Sequence, residues 1–431
     1  MEKYKKRIVE NDIKHIIDKV NSAIQIVGPK WCGKTTTARQ YCKSEINFQD
    51  QKKAKQYQFL AKSNISKLLE GKKPLLIDEW QVIKPIWNTI KNAADKQEED
   101  KVYYFLTGSV NPKSRDGQDS GAGRFIKINM YPMSLYESGD STGEVSLKSL
   151  LNPKTKIDGT NKLSYDDLAY LIIRGGWPKL IGNDVKTISL RLDTYLSEIF
   201  ESNINDWDGV KKNPLLAKFI AQSFARQLCS IDGNIAYKAI YNDVINGKYN
   251  KISYKTVINY IEALIKLFIV NEIPSWASDK RNKDRIRLSP KKMFVDPSLA
   301  ARLLKISDKS LSTDPNIFGI LFENLVARDL QIYMQSLGGT VESYRDRHRN
   351  EACDFILNFE DNQFALVEVK LTIDGFDKAI KSLTKVYQQI EKDYGVKPKF
   401  MMIISNNDYP SQIKINDECN LYIVPIGCLK N

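Results

Sequence analysis

Residues Ser22 to Thr37 read SAIQIVGPKWCGKTTT, and the fold of the first third of the chain turns on them. Ser22 to Val27 is a short apolar run, the pattern of a strand buried on both faces. It enters G-x-x-x-x-G-K-T at Gly28 to Thr35, and a helix-like stretch follows. Strand, glycine loop and helix in that order are the context a phosphate-binding loop needs. Gly28 and Gly33 let successive backbone N–H groups turn toward phosphate oxygens, and the helix N-terminus adds partial positive charge. Pro29, Lys30, Trp31 and Cys32 complete the loop, Cys32 through its backbone N–H rather than its thiol. Lys34 supplies a full positive charge to the β- and γ-phosphates, Thr35 a hydroxyl for Mg²⁺, and Thr36 stands beside it. The expected cofactors are ATP and Mg²⁺.

Downstream, KKPLLIDEW at Lys72 to Trp80 reads as a buried strand over Pro74 to Ile77 that ends in two acids. Asp78 is placed to hold the Mg²⁺ shell and Glu79 to polarise the attacking water. A third strand, VYYFLTGS at Val102 to Ser109, ends in hydroxyls at the edge where α/β sheets present ligand-contacting groups. Thr107 and Ser109 are candidate sensors of the γ-phosphate, or the hydroxyls of a strand exit that caps itself. The polar, glycine-rich stretch that follows delivers Arg124, either an arginine finger or a surface ion-pair former.

The chain has 431 residues, enough for two to four domains. Lys+Arg 65 against Asp+Glu 52 leaves +13, which favours an anionic partner such as DNA, although lysine scatter over any surface gives the same count. No run reaches the roughly 20 apolar residues that span a bilayer, so no membrane is expected and the cytoplasm is the expected location. Six cysteines form no C-x-x-C pair, and only His15 and His348 could join them on zinc, so reduced buried thiols are expected.

Leu163 to Ile173 is amphipathic with Ser164 as a cap, and RGGWP at Arg174 to Pro178 breaks it. That turn either lies beside the nucleotide or makes a tight interdomain bend with Trp177 in the core. Further on, Ser253 caps a helix in which Val257, Ile261, Leu264 and Phe268 share a face. A shorter helix before it and the extended NEIPSW after it match a winged helix-turn-helix. The next stretch carries Lys280, Arg281, Lys283, Arg285, Arg287, Lys291 and Lys292. The first five are candidate contacts to a nucleic-acid backbone, against a solvated hairpin or an intramolecular docking surface.

From Phe318 the pattern runs helix, three strands, helix, strand, the αβββαβ core of restriction-endonuclease-like folds. Asp354 and the Glu368-Val369-Lys370 triplet fit its acid and acid-x-Lys. Asp354 and Glu368 are expected to share a divalent ion, with Lys370 stabilising charge and Glu323 as the extra acid. The plain alternative is a pair of strands that alternate charged and apolar residues.

The order GPKWCGKTTT, LLIDEW, FLTGS, GRFIKINMYPMSLYE, RGGWP, KKMFVDPSLA, GILFENLVARDL, EACDFIL and ALVEVK resembles the AAA-type ATPases followed by the conserved domain of unknown function 4143. The resemblance covers nearly the whole chain and implies an α/β protein in three parts. These are an AAA-type P-loop NTPase parallel-sheet core at 1–145, a helical and winged-helix domain at 160–300, and a restriction-endonuclease-like α/β domain at 315–431. The expected function is a Mg²⁺-dependent, ATP-hydrolysing switch acting on DNA. The alternatives are an ATP-regulated metal-dependent nuclease and a nucleotide-gated protein-interaction module whose nuclease-like domain is inactive. A homo-oligomer is left open.

Overall fold

The computed structural model describes residues 4–20, 22–97, 99–108, 123–205, 210–230, 235–247, 249–276, 289–346 and 351–431. Five parallel strands make the first sheet: β1 (Ala23–Val27), β2 (Ser44–Asn47), β3 (Leu75–Asp78), β4 (Tyr104–Gly108) and β5 (Phe125–Asn129), ordered β2-β3-β4-β1-β5. β1, β3 and β4 lie side by side, so their carboxyl ends bring the glycine loop, Asp78 and Thr107 to one edge. All residues of these three strands are buried, because apolar clusters cover both faces of the sheet. This is the doubly covered parallel architecture that near-continuous apolar strands demand.

The middle of the chain is helical. Ser164 caps Tyr165–Arg174 in a capping box with Asp167, as the sequence predicts. Ser253 likewise caps Tyr254–Lys266, whose Val257, Ile261 and Leu264 are buried. Phe268 corrects the expected periodicity: the helix stops at Lys266, and Phe268 follows in the left-handed region at φ 57°. Beyond the short β6 (Val145–Ser146), two strands form an antiparallel ribbon, β7 (Val270–Ile273) with β8 (Lys291–Phe294).

The second large sheet orders six strands β13-β14-β12-β11-β10-β9. They are β9 (Thr340–Asp346), β10 (Glu351–Asn358), β11 (Phe364–Val369), β12 (Phe400–Ser405), β13 (Ser411–Lys414) and β14 (Asn420–Pro425). The long helix Pro315–Ser336 packs on one face within an apolar cluster shared with the middle helices, and Phe376–Tyr394 covers the other. The chain's end returns to the ATPase side, where Leu429–Lys430 pairs in parallel with Val145–Ser146. The whole is α/β with a helical middle.

One polar cluster crosses these parts. Arg328, on the long helix, is 2% exposed; its Nη1 donates to Asp296 Oδ2 at 2.9 Å and its Nε to Asp329 Oδ1 at 2.9 Å. Asp296 Oδ2 also accepts from Gly176 N at 2.9 Å, and Asp329 Oδ2 from Leu135 N at 2.9 Å. Gly175 must be glycine: its φ is +68°, and a Cβ there would meet Asp296 Oδ1 at 2.3 Å. Truncating one member strands a buried opposite charge, a loss of about 3–5 kcal/mol. Arg328→Met should therefore move the urea midpoint well down, and adding Asp296→Asn should recover part of the loss. Equal midpoints for wild type and the single variant would mean that the cluster does not bear on stability.

Candidate functional site

The glycine loop is shaped by close approach. Gly28 has φ +155°, and a Cβ on it would sit 2.0 Å from Met130 O, so only glycine fits between the loop and the end of β5. Gly33, at φ +102°, caps the helix Lys34–Arg39. The Lys34 side chain is buried, and its ammonium donates to Gly28 O at 2.9 Å and Pro29 O at 2.7 Å. The loop's own carbonyls thus hold a full positive charge at the helix N-terminus, where a phosphate oxygen would offer the stronger, charged interaction.

Across the loop, Thr35 Oγ1 donates to Asp78 Oδ1 at 2.8 Å, and Thr107 Oγ1 donates to the same oxygen. Asn47 Nδ2 reaches Asp78 Oδ2 at 3.3 Å, a contact from β2 that the sequence reading did not foresee. A hydroxyl and a carboxylate side by side at the phosphate edge are hard oxygen ligands that suit Mg²⁺, with phosphate and water completing the shell. Glu79 turns away from the strand in the left-handed conformation, φ 54° and ψ 47°, and accepts from Gln81 Nε2. A non-glycine residue held there is strained, and it directly follows Asp78 at the carboxyl end of β3. Ser109 lies outside the described residues.

The loop residues between the glycines do more than line it. Trp31 packs on Tyr195 with ring centroids 5.1 Å apart, and Tyr195 packs on Trp177 at 5.0 Å. Lys30 Nζ pairs with Glu198 at 2.7 Å. Tyr195 and Glu198 belong to the helix Val185–Glu201, so the loop grips the helical domain directly. From the other side buried Arg7 donates to Cys32 O at 2.7 Å and Tyr131 O at 2.8 Å and pairs with Glu137. Cys32 is itself buried, its thiol turned from the loop's surface toward Met130 O.

Beside the loop's end lies a cavity of about 400 Å³ lined by Tyr4, Gly33, Thr36, Thr37, Pro178 and Ile181. In RGGWP, Trp177 is in the core and Pro178 stands next to Gly33 of the glycine loop. Tyr4, Pro178 and Ile181 escaped the sequence reading because no local pattern joins positions so far apart. Arg124 is not at this edge. Its carbonyl accepts from Ala23 N at the start of β1, and its guanidinium pairs with Asp95 at 2.7 Å, so it stands at the opposite end of the sheet from its own phosphate loop.

In the C-terminal sheet, Asp354 and Glu368 sit on neighbouring antiparallel strands, and Asp354 Oδ2 accepts from Val369 N at 2.8 Å. Lys370 Nζ donates to Glu368 Oε1 at 2.8 Å. Glu323 reaches the group from the long helix, but its partner is Lys291, whose ammonium also stands 3.7 Å from Asp354. Burial and the neighbouring Asp354 push Glu368 up to about 7 against the opposing pull of Lys370. Burial alone would lower Lys291, yet Glu323 and Asp354 outweigh it and hold the ammonium charged. Among the described residues, no three His, Cys, Asp or Glu side chains stand together as a metal-ligand set. The sequence reading had counted Lys291 with the basic run; Lys280, Arg281, Lys283, Arg285 and Arg287 of that run lie outside the described residues.

Comparison with protein-family models places an AAA domain over residues 20–139, a domain of unknown function (DUF8612) over 165–310 and another (DUF4143) over 318–429. An AAA domain followed by DUF4143 is the architecture of an AAA-type ATPase that ends in that domain. Comparison with curated proteins found no match. Among solved structures, a mutant of RuvB from Thermotoga maritima matches at 13% identity, with 69% of this chain and 93% of that one covered and a TM-score of 0.26. PCH-2 of C. elegans matches at 16% identity, 44% and 59% coverage and a TM-score of 0.20. The McrB AAA+ hexamer of Thermococcus gammatolerans with bound McrC gives 10%, 79% and 87%, and 0.21. Likenesses this weak say nothing about what this ATPase acts on. No described helix is long and apolar enough to cross a membrane.

If Lys34 is the group that meets the nucleotide's phosphates, Lys34→Ala should lose fluorescent-ATP binding; wild-type affinity in that variant would remove the loop from nucleotide recognition. Glu79→Gln should keep that binding and slow hydrolysis by about 10²-fold or more through loss of the water-polarising carboxylate. Phosphate release at the parental rate would assign water activation elsewhere.

Proposed function

We propose that this ATPase is a Mg²⁺-dependent switch acting on DNA. ATP lies with its phosphates on the loop and its base in the cavity between Tyr4, Pro178 and Ile181. Thr35 and Asp78 would hold a Mg²⁺ ion, which would neutralise phosphate charge; Thr107 keeps Asp78 oriented, and Glu79 would position the attacking water. Lys34 neutralises charge that develops on the transferred phosphoryl group. Because Trp31 and Lys30 hold the helix Val185–Glu201, any shift of the loop on hydrolysis is passed to the helical domain. Arg124, remote from its own loop, can serve as a finger only toward a second copy of the chain, which makes a homo-oligomer part of this reading.

The observation that carries the DNA assignment is the arrangement of two helices, Tyr237–Asn246 and Tyr254–Lys266, followed by a two-stranded ribbon with the basic run between its strands. This is the layout of a winged helix, in which lysine and arginine on the wing release counterions from the duplex backbone. Binding of a fluorescent duplex should be salt-dependent. Replacing Arg281, Lys283, Arg285 and Arg287 together by Gln should weaken it for any sequence and flatten the salt dependence by about 0.9 per lost contact on log–log axes. Identical affinity and slope in the quadruple variant would make this stretch a packing surface. Stimulation of the ATPase rate by duplex then tests whether binding and hydrolysis are joined.

A second reading, a nucleotide-gated protein-interaction module, is favoured by one feature. The acids of the C-terminal domain are occupied by lysines, as suits a scaffold rather than a nuclease.

A further inference from the structure

The C-terminal acids are expected to surround a metal, but the cation beside them is supplied by the middle of the chain. Lys291 is the first residue of β8, in the ribbon that follows the helix Tyr254–Lys266. Strand alternation sends its neighbour Lys292 the other way, over the Tyr237 ring at 4.7 Å, and turns Lys291 toward the sheet. There its Nζ ion-pairs with Glu323, stands 3.7 Å from Asp354, and lies 4.8 Å from the centre of the Phe355 ring. Asp354 spends its other oxygen on Val369 N–H, and Glu368 gives one oxygen to Lys370. Three carboxylates are thus met by two ammonium groups and one backbone donor.

A Mg²⁺ or Mn²⁺ ion takes carboxylate oxygens at close to 2 Å and brings bound water with it. The ammonium of Lys291 lies between the acid from the helix and the acid from β10, the position such an ion requires. Two cations a few ångströms apart in a half-buried site repel far more than in water. We infer that Lys291 is the resident counter-ion of this cluster and keeps a divalent metal out of it. The acid-x-Lys arrangement is then a charge-compensated joint between the ribbon and the C-terminal sheet. The metal chemistry that such acids perform elsewhere is blocked while β8 is seated. This inference shares the ribbon with the DNA assignment but not its test, since Mn²⁺ binding to the free protein involves neither DNA nor Arg281, Lys283, Arg285 and Arg287.

The test is Mn²⁺ binding to the nucleotide-free, full-length protein, read from the electron paramagnetic resonance signal of the free ion. Wild type, Asp354→Asn, Lys291→Met and the double variant are compared. Wild type and Asp354→Asn should bind Mn²⁺ alike, because any ion near Thr35 and Asp78 is common to both. Lys291→Met should take up one further ion per chain, and the double variant should lose it. An ion held by wild type and lost in Asp354→Asn would overturn the inference. So would a folded Lys291→Met that gains none. Should Lys291→Met fail to fold, the comparison of wild type with Asp354→Asn decides alone.

Discussion

A guanidinium shut away from solvent sits where four stretches of the chain meet. Arg328 belongs to the long helix, Asp296 to the turn after the ribbon, Gly176 to the RGGWP bend, and Leu135 to the end of the ATPase core. Ions taken out of water lose several kcal/mol of solvation each, and only a complete set of partners returns it. The cluster is therefore all or nothing. Slide the bend by one residue, and Asp296 loses the Gly176 N–H; rotate the long helix, and Asp296 and Asp329 both lose Arg328. Such a group adds little net free energy over an apolar equivalent, but it admits a single arrangement of the parts around it. The two glycines of RGGWP follow from this, since the backbone must come within contact of Asp296, Ser298 and Met133.

From that fixed bend the chain reaches the glycine loop in two residues. Trp177 donates to Ser298 Oγ at 2.9 Å and packs on Tyr195, while Pro178 faces the phosphate loop. The loop answers with Trp31 on Tyr195 and Lys30 on Glu198, both from its non-glycine positions. A phosphate loop needs its backbone for phosphates, so these side chains are free to bind something else. Here they bind the next domain. Loop conformation and the position of the helix Val185–Glu201 are consequently coupled by direct contact.

The parts of this design that could be read from the sequence are those written in consecutive residues. β1, β3 and β4 are apolar runs that end in chemistry, and the helix caps at Ser164 and Ser253 announce themselves. β2 was invisible: Ser44–Asn47 reads SEIN, one apolar residue in four, because it is a half-covered edge strand. β5, FIKIN, alternates only from Ile126 onward and stands out in the sequence only as part of a longer motif. Phe268 kept the helical period by coincidence after the backbone had already left the helix. The cavity beside the loop joins Tyr4 to Ile181, and no spacing rule spans that distance. Arg124 needed the sheet to be placed: its carbonyl accepts from Ala23 N at the start of β1, which sets it at the far end from its own loop, where its guanidinium pairs with Asp95.

Lys291 marks the limit most sharply, because the cue was present and pointed elsewhere. It stands at the end of a basic run, and composition assigns it to that run. On a strand, however, neighbours face opposite ways, so Lys291 and Lys292 cannot share a role. The residue that faces the core of a charged sheet must find acids there or leave its ammonium without a partner. Read this way, D and E-x-K in the C-terminal sheet state only that a positive charge is required between those strands. Whether it arrives as a metal ion or as a lysine from another part of the chain is decided by tertiary packing, and here β8 brings the lysine.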